Sequence, residues 1–230
     1  MKKQILVTGG AGFVGANLIK RFISEGHKVV SIDDYSTGKK LNHIDGCQYI
    51  KRDILDIDPD DFVYSPDVVY HLAAKARIQP SFEQPLEYIR VNYEGTLNLI
   101  KLCMKRNIPM IYAGSSSHHS GKFKNPYTFS KDMGEDIIRL YQEHFGLKAS
   151  IARFYNVYGP YQLTEGGYTT LIGRWLNNIE NDIPCEIYGD GTKRRDFTHV
   201  DDIVDGLVRI MELEEYSRIF EFGRGKNYSV

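Results

Sequence analysis

A run of branched apolar residues, Ile5-Leu6-Val7-Thr8, passes through Gly9-Gly10-Ala11-Gly12-Phe13-Val14-Gly15 directly into an amphipathic stretch. A short apolar run that ends in glycine reads as a buried strand. The residues from about Gly12 to Glu25 carry Phe13, Leu18, Ile19, Phe22 and Ile23 on one side, so they read as a helix that Gly26 closes. Glycines at 9, 12 and 15 permit a tight turn, close approach of backbone N–H groups to a phosphate, and close packing of helix on strand. The N-terminus of the helix adds a partial positive charge there. The spacing is Gly-x-x-Gly-x-x-Gly rather than Gly-x-Gly-x-x-Gly, and its weight comes from its place between a first strand and a first helix.

A strand that feeds a helix in this way needs a parallel partner, and further strand–helix units follow. Val29–Asp33, Gln48–Ile50, Val68–Leu72, Ile108–Tyr112 and Ala149–Ala152 read as strands, with a weak helix before Ser65-Pro66. A long helix follows Pro85, with Leu86, Ile89, Val91, Leu97, Leu99, Ile100 and Leu102 as its apolar set. Another runs from about Tyr127 to Phe145, with Gly146 as its stop. The expected fold is therefore α/β: a Rossmann doubly wound parallel sheet spanning 1–153, with a small C-terminal substrate-binding appendage at 154–230. In that tail a helix at Leu171–Leu176, a strand at Ile187–Tyr188, a helix at Ile203–Met211 and a strand at Ile219–Phe222 are expected. They are too few for a separate core, and are expected to pack over the ligand-binding edge of the sheet.

Composition narrows the function. Hydrophobic residues make 42% of the 230, charged residues 26%, and the net charge of −1 comes without massed Lys or Arg. Nucleic acid and membrane surfaces are thus not expected partners. Cys47, Cys103 and Cys185 are widely spaced, without a Cys-x-x-Cys, and read as buried thiols of a reducing compartment rather than a disulfide frame or zinc site. With no apolar run of membrane-spanning length and no leader-like core after Met1, the expected location is cytoplasmic.

Two sets of residues carry chemistry. Asp33 ends the second strand where an acid meets the adenosine ribose; a carboxylate there accepts from the ribose hydroxyls and repels a 2′-phosphate, which favours NAD over NADP. Asp34 is adjacent and competes for that role, and Asp53, after the third strand, is a candidate for the adenine amino group. Tyr127 and Lys131 stand four apart, on one side of a helix, one turn apart. An ammonium beside a phenol lowers the phenol's pKa, so Tyr127 is expected to act as a general base or acid near neutral pH.

The segments TGGAGFVG (8–15), DDYSTG (33–38), HLAA (71–74), VNYEGTLNL (91–99), SSS (115–117), PYTFSK (126–131), RFYNVYGP (153–160) and YGDGTKRRDFTHVDDI (188–203) occur in this order. In combination the chain resembles the extended short-chain dehydrogenase/reductase family, in its nucleotide-sugar epimerase/dehydratase branch, from Lys3 to Val230. The resemblance implies an NAD site built from Gly9, Gly12, Phe13, Val14, Gly15, Asp33, Asp53 and Ile54. Leu72, Ala73, Ala74, Lys75, Asn92 and Tyr155 would complete it, with Tyr127 and Lys131 at the nicotinamide end. Tyr127 would be the catalytic base and Lys131 its partner. Asn156 and Arg195 would hold the diphosphate of a nucleotide-sugar substrate, with Arg194 a lesser stand-in.

The family places a catalytic Ser or Thr past the fifth strand, before a Tyr-Gly pair. Here His118-His119-Ser120-Gly121 stands in place of that pair. Counting from Tyr112 selects Ser115, the preferred choice, and counting back from Gly121 selects Ser116. The Asp-Glu pair that follows this position in the family's dehydratases is replaced by Ser116-Ser117, which disfavours 4,6-dehydration. His118 and His119 read as solvated loop residues with no carboxylate set nearby, so no metal is expected. The segment from Ser117 to Asn125 is short, and relatives continue past Val230, so part of their sugar pocket is expected to be lacking. The implied reaction is 4-epimerisation of a UDP-sugar through a transient 4-keto sugar. Another redox, decarboxylating or dehydrating outcome on the same site, or a catalytically silent dinucleotide-binding module, are the alternatives. Relatives form homodimers through the two long helices, and Leu97, Ile100, Met104, Ile137 and Leu140 would suit that contact.

Overall fold

A computed structural model describes residues 1–60, 62–187, 189–214 and 216–230. The chain runs β1 (Gln4–Thr8), α1 (Phe13–Ser24), β2 (Lys28–Asp33), β3 (Gln48–Lys51), β4 (Val68–His71), α2 (Ile78–Glu83) and α3 (Pro85–Ile89). A π turn at Arg90–Glu94 joins α3 to α4 (Gly95–Arg106), and β5 (Met110–Ser115), α5 (Pro126–Phe145) and β6 (Ala149–Phe154) follow. Then come β7 (Val157–Tyr158), α6 (Leu171–Glu180), β8 (Arg194–Arg195), β9 (Thr198–His199), α7 (Val200–Leu213), β10 (Ile219–Phe222) and β11 (Tyr228–Ser229).

Seven parallel strands form one sheet in the order β10-β6-β5-β4-β1-β2-β3. From β1 the chain builds outward through β2 and β3, then crosses back to β4 on the other side of β1. Such a switch point opens a crevice above the C-terminal strand ends, and the right hand of βαβ crossovers places helices on both faces. One face packs on α4 and α5 through Leu99, Ile100, Leu102 and Ile138. The other packs on α1 and α7 through Leu18, Phe22, Ile203 and Leu207. Strand residues between two helical layers have no solvent face, which is why Ile5, Leu6, Val7 and Thr8 are all fully buried and read as a continuous apolar run.

Several expectations need correction. The tail supplies core elements as well as the mouth of the crevice: β10 adds to the sheet beside β6, and α7 packs on α1, so the core continues across Arg153. Leu86 is solvent-exposed and Tyr88 is buried in its stead, because the π turn shifts the inward face between α3 and α4. Ile100 is core rather than outer surface. Among the described residues between β3 and Ser65 the helical element is a 3-10 turn at Ile54–Asp56. The strand expected at Ile187–Tyr188 includes a residue outside those described, and Ile187 lies in no regular element. Cys103 is buried, Cys47 half-buried and Cys185 exposed. No helix among the described residues is long and apolar enough to cross a membrane.

Candidate active site

A cleft of about 1150 Å³ lies over the switch point. Of the residues expected to bind or act, all but Asn92 line it, from Gly9 through Ser115 and Tyr127 to Arg195.

At one end the glycine loop is shaped by close contacts. Gly9 has φ +75°, and a Cβ there would stand 2.8 Å from the Ala73 backbone nitrogen. A Cβ at Gly15 would stand 2.3 Å from the Gly9 carbonyl oxygen. Neither position accepts a side chain without moving backbone. Gly12 caps α1 without a side-chain bond, which leaves N–H groups of the first turn pointing at the cleft. Asp33 is buried at the end of β2, with one carboxylate oxygen accepting from Ala11 N at 2.9 Å and the other from Tyr35 N at 2.8 Å. Each oxygen keeps a lone pair for a further donor. Burial pushes its pKa up, against those two backbone bonds. The rival acid is spoken for: Asp34 bends to the backbone and hydroxyl of Ser36. Asp53 caps the 3-10 turn by accepting from Leu55 N at 2.9 Å, and with Ile54 it still lines the cleft.

The end of β4 is fastened from below. Thr96 donates to the Asn92 carbonyl at 2.6 Å, so its oxygen is free to accept from His71 Nε2 at 3.0 Å. The opposite ring nitrogen, Nδ1, then accepts from Thr8 Oγ at 2.8 Å, and Thr8 Oγ accepts from Ala73 N at 3.2 Å. Burial and the nearby Lys131 hold His71 neutral, with its pKa lowered to about 3. Leu72, Ala73, Ala74 and Lys75 then emerge along the cleft wall. Asn92 is the correction here. It is buried in the π turn, accepts from Lys75 N at 2.7 Å, and donates to Lys75 O and to Ser130 Oγ at 3.0 and 2.8 Å. It therefore positions the wall rather than lining the cleft.

At the other end β5 delivers Ser115 and α5 delivers Tyr127. Asn125 caps α5 by accepting from Thr128 N at 2.8 Å, and Pro126 fits the first helical position, so Tyr127 stands at the start of the helix. The Ser115 hydroxyl faces the Tyr127 phenol across the cleft and lies 3.0 Å from Ser117 Oγ. Ser116 also lines the cleft, and it is Ser115 that meets the phenol. Burial raises the Tyr127 pKa, while the Ser115 hydroxyl and the Arg77 guanidinium pull it back. Lys131 follows one turn along α5 and lines the same cleft. Its ammonium sits 4.0 Å over the Tyr112 ring, and burial lowers its pKa to about 7 against the pull of Glu135.

The two histidines are not simply solvated. His118 Nδ1 meets Asp132 at 2.9 Å and His119 Nε2 meets Glu221 at 3.2 Å. The carboxylates Asp132 and Glu135 do lie near His118, but Glu135 is claimed by Arg153, whose Nη2 donates to it at 2.6 Å. At the mouth, Asn156 donates to Asp196 O at 2.9 Å from a backbone at φ +30°. Arg194 is tied to Asn227, while Arg195 lines the cleft and donates to the Arg194 carbonyl at 3.2 Å. Arg77 escaped the sequence reading. A lone cation in a polar turn gives no signal of its own, and only the fold carries it to Tyr127.

A cradle that a Cβ would fill, unclaimed N–H groups at a helix start and a buried acid one strand away fit a dinucleotide. Together with the Ser115–Tyr127 pair in the same cleft, they define a dinucleotide-dependent enzyme on a doubly wound sheet. The family model for the NAD dependent epimerase/dehydratase family matches residues 5–223. A putative UDP-glucose 4-epimerase of Methanocaldococcus jannaschii is 32% identical over 99% of this chain and 79% of its own length. A UDP-N-acetyl-alpha-D-glucosaminuronate decarboxylase of Bacillus cytotoxicus is 29% identical over 100% of the chain and 78% of its own. Among solved structures, the UDP-glucose 4-epimerase of Thermotoga maritima with UDP-glucose superposes with a TM-score of 0.92 at 27% identity, covering 98% of this chain and 78% of that one. The chain belongs to the NAD dependent epimerase/dehydratase family, within the short-chain dehydrogenase/reductase type, and its cofactor is NAD.

Proposed function

We propose that this enzyme is a nucleotide-sugar 4-epimerase, with a UDP-sugar as substrate. The observation that carries the reading is the placing of Ser115 and the Tyr127 phenol together in the cleft that begins at Gly9. The glycine loop and Asp33 would hold NAD, which supplies hydride acceptance and return when bound. Tyr127, as phenolate, takes the proton of the sugar 4-hydroxyl as hydride leaves C4 and, as phenol, gives it back when hydride returns, with Ser115 donating to the oxygen while it is phenolate. Lys131, buried beside Tyr127 on α5 with its pKa lowered to about 7, would bind the ribose beside the nicotinamide. Asn156 and Arg195, at the mouth, hold the diphosphate, for which an arginine fork is suited.

Ser116 and Ser117 offer no carboxylate for loss of water, which supports epimerisation over 4,6-dehydration. We place the enzyme in the cytoplasm, as a homodimer through α4 and α5, where Leu97, Met104 and Ile137 stay partly open and Leu140 is exposed. A panel of UDP-, dTDP-, GDP- and CDP-sugars, assayed with and without Tyr127→Phe, tests the reading. Epimer formation is expected to fall roughly 10²- to 10⁴-fold in the variant. Epimer formation that persists unchanged would remove Tyr127 from the role.

A further inference from the structure

Arg77 caps the start of α2 in a backbone conformation that side chains rarely adopt, φ +82° and ψ +143°. Strain of this kind persists where the surroundings enforce it, and it concentrates at ligand sites. The enforcement is visible. Tyr88 donates to the Ala76 carbonyl at 2.6 Å, and Arg77 Nε donates to the Tyr168 carbonyl at 2.8 Å. Tyr88 also packs edge-on against Tyr127, ring centroids 6.4 Å apart. The guanidinium is thus gripped at one nitrogen among three tyrosines, and it lines the cleft with Tyr127. Among the described residues no carboxylate pairs with it, and its two terminal nitrogens have no hydrogen-bond acceptor. Burial lowers its pKa, opposed by the Tyr127 and Tyr88 phenols. A half-buried guanidinium that faces the cleft without a counter-ion is a site for an anion that arrives with the ligand.

Sugar chemistry says which anion, granted the nucleotide-sugar reading on which this rests. The diphosphate hangs on C1, across the ring from C4. The atom next to C4 on the other side is C5, which carries C6. The other neighbour, C3, carries a neutral hydroxyl, so an anion that meets a cation beside the phenol comes from the C6 substituent, while Arg195 at the mouth is left to the diphosphate. We propose that Arg77 selects a sugar nucleotide whose C6 is a carboxylate, a nucleoside-diphosphate uronic acid, through the two terminal nitrogens left free by its bond to Tyr168. A neutral C6 hydroxymethyl would leave the guanidinium uncompensated.

UDP-glucose and UDP-glucuronate differ only at C6, and their affinities for the NAD-loaded protein, measured by calorimetry, test this. Wild type is expected to favour the acid by roughly 10- to 100-fold, the worth of a charge-assisted bidentate contact. In Arg77→Gln the ratio collapses to within about threefold of one, and in Arg77→Lys, which keeps charge without the fork, it falls between. Equal affinity in wild type, preference for UDP-glucose, or no binding of either would overturn the inference. So would an Arg77→Gln that weakens both ligands alike, which is what a diphosphate contact or a purely structural role would give. Product analysis of the bound acid separates the two readings. Release of C6 as carbon dioxide in place of the 4-epimer would sink the epimerase assignment and leave the selection by Arg77 standing.

Discussion

Removing the Glu135 carboxylate should cost this protein a large part of its stability, and the reason lies directly under the site. Arg153 on β6 and Glu135 on α5 are both buried, with Nε 3.1 Å from each carboxylate oxygen and Nη2 2.6 Å from one of them. Nη1 reaches Glu221 on β10 at 2.9 Å. Burial pulls the guanidinium's pKa down, and the hydrogen bonds to Glu135 and Glu221 more than reverse it. In Glu135→Leu the buried cation keeps only the half-exposed Glu221. Breaking a buried pair from one side costs about 3–5 kcal/mol, and the surviving partner argues for about 3. For a chain of this length that is a fall in Tm of roughly 6–12 °C. Replacing both members, Glu135→Leu with Arg153→Met, removes the orphaned charge and should recover at least about 2 kcal/mol of the loss. Urea unfolding of wild type, both single variants and the double closes the cycle. A Glu135→Leu within about 1 kcal/mol of wild type, or a double variant no better than the single, would refute the reasoning.

Other outcomes follow from the same structure. Gly9→Ala places a methyl 2.8 Å from Ala73 N at φ +75°, so the purified variant should carry little NAD, read by nucleotide release on denaturation. Asp33→Asn removes the charge that would repel a 2′-phosphate, and NADP affinity relative to NAD should rise at least about tenfold by competition binding. His71 is neutral when folded, with a pKa of about 3 against 6.5 when unfolded, so between those values the unfolded chain binds the extra proton. Its contribution is therefore intact above about pH 6.5 and lost as pH falls, by up to about 1.4 kcal/mol per unit, and urea midpoints across that window should show a slope that His71→Gln reduces.

Much of the fold can be read from the chain because its signals are local. Ile5–Thr8 is apolar throughout since both its faces are covered, and Gly9, Gly15 and Gly146 stand where backbone geometry or close approach demands them. What the sequence hides depends on long-range placement. The π turn at Arg90–Glu94 has no composition cue, yet it turns Asn92 toward Lys75 and leaves Leu86 outside. Tyr127 and Lys131 share a helix side, but only the fold brings the Tyr112 ring under the Lys131 ammonium and Arg77 to the phenol. His118 and His119 look like loop residues until Asp132 and Glu221 arrive from α5 and β10.

The central claim, a reversible oxidation at the sugar C4 served by Tyr127, is tested most directly with substrate deuterated at C4. Hydride that leaves C4 and returns to it in one turnover keeps its label, so the epimer formed in ordinary water should retain deuterium at C4. An epimer that has exchanged that deuterium for solvent hydrogen would contradict the account.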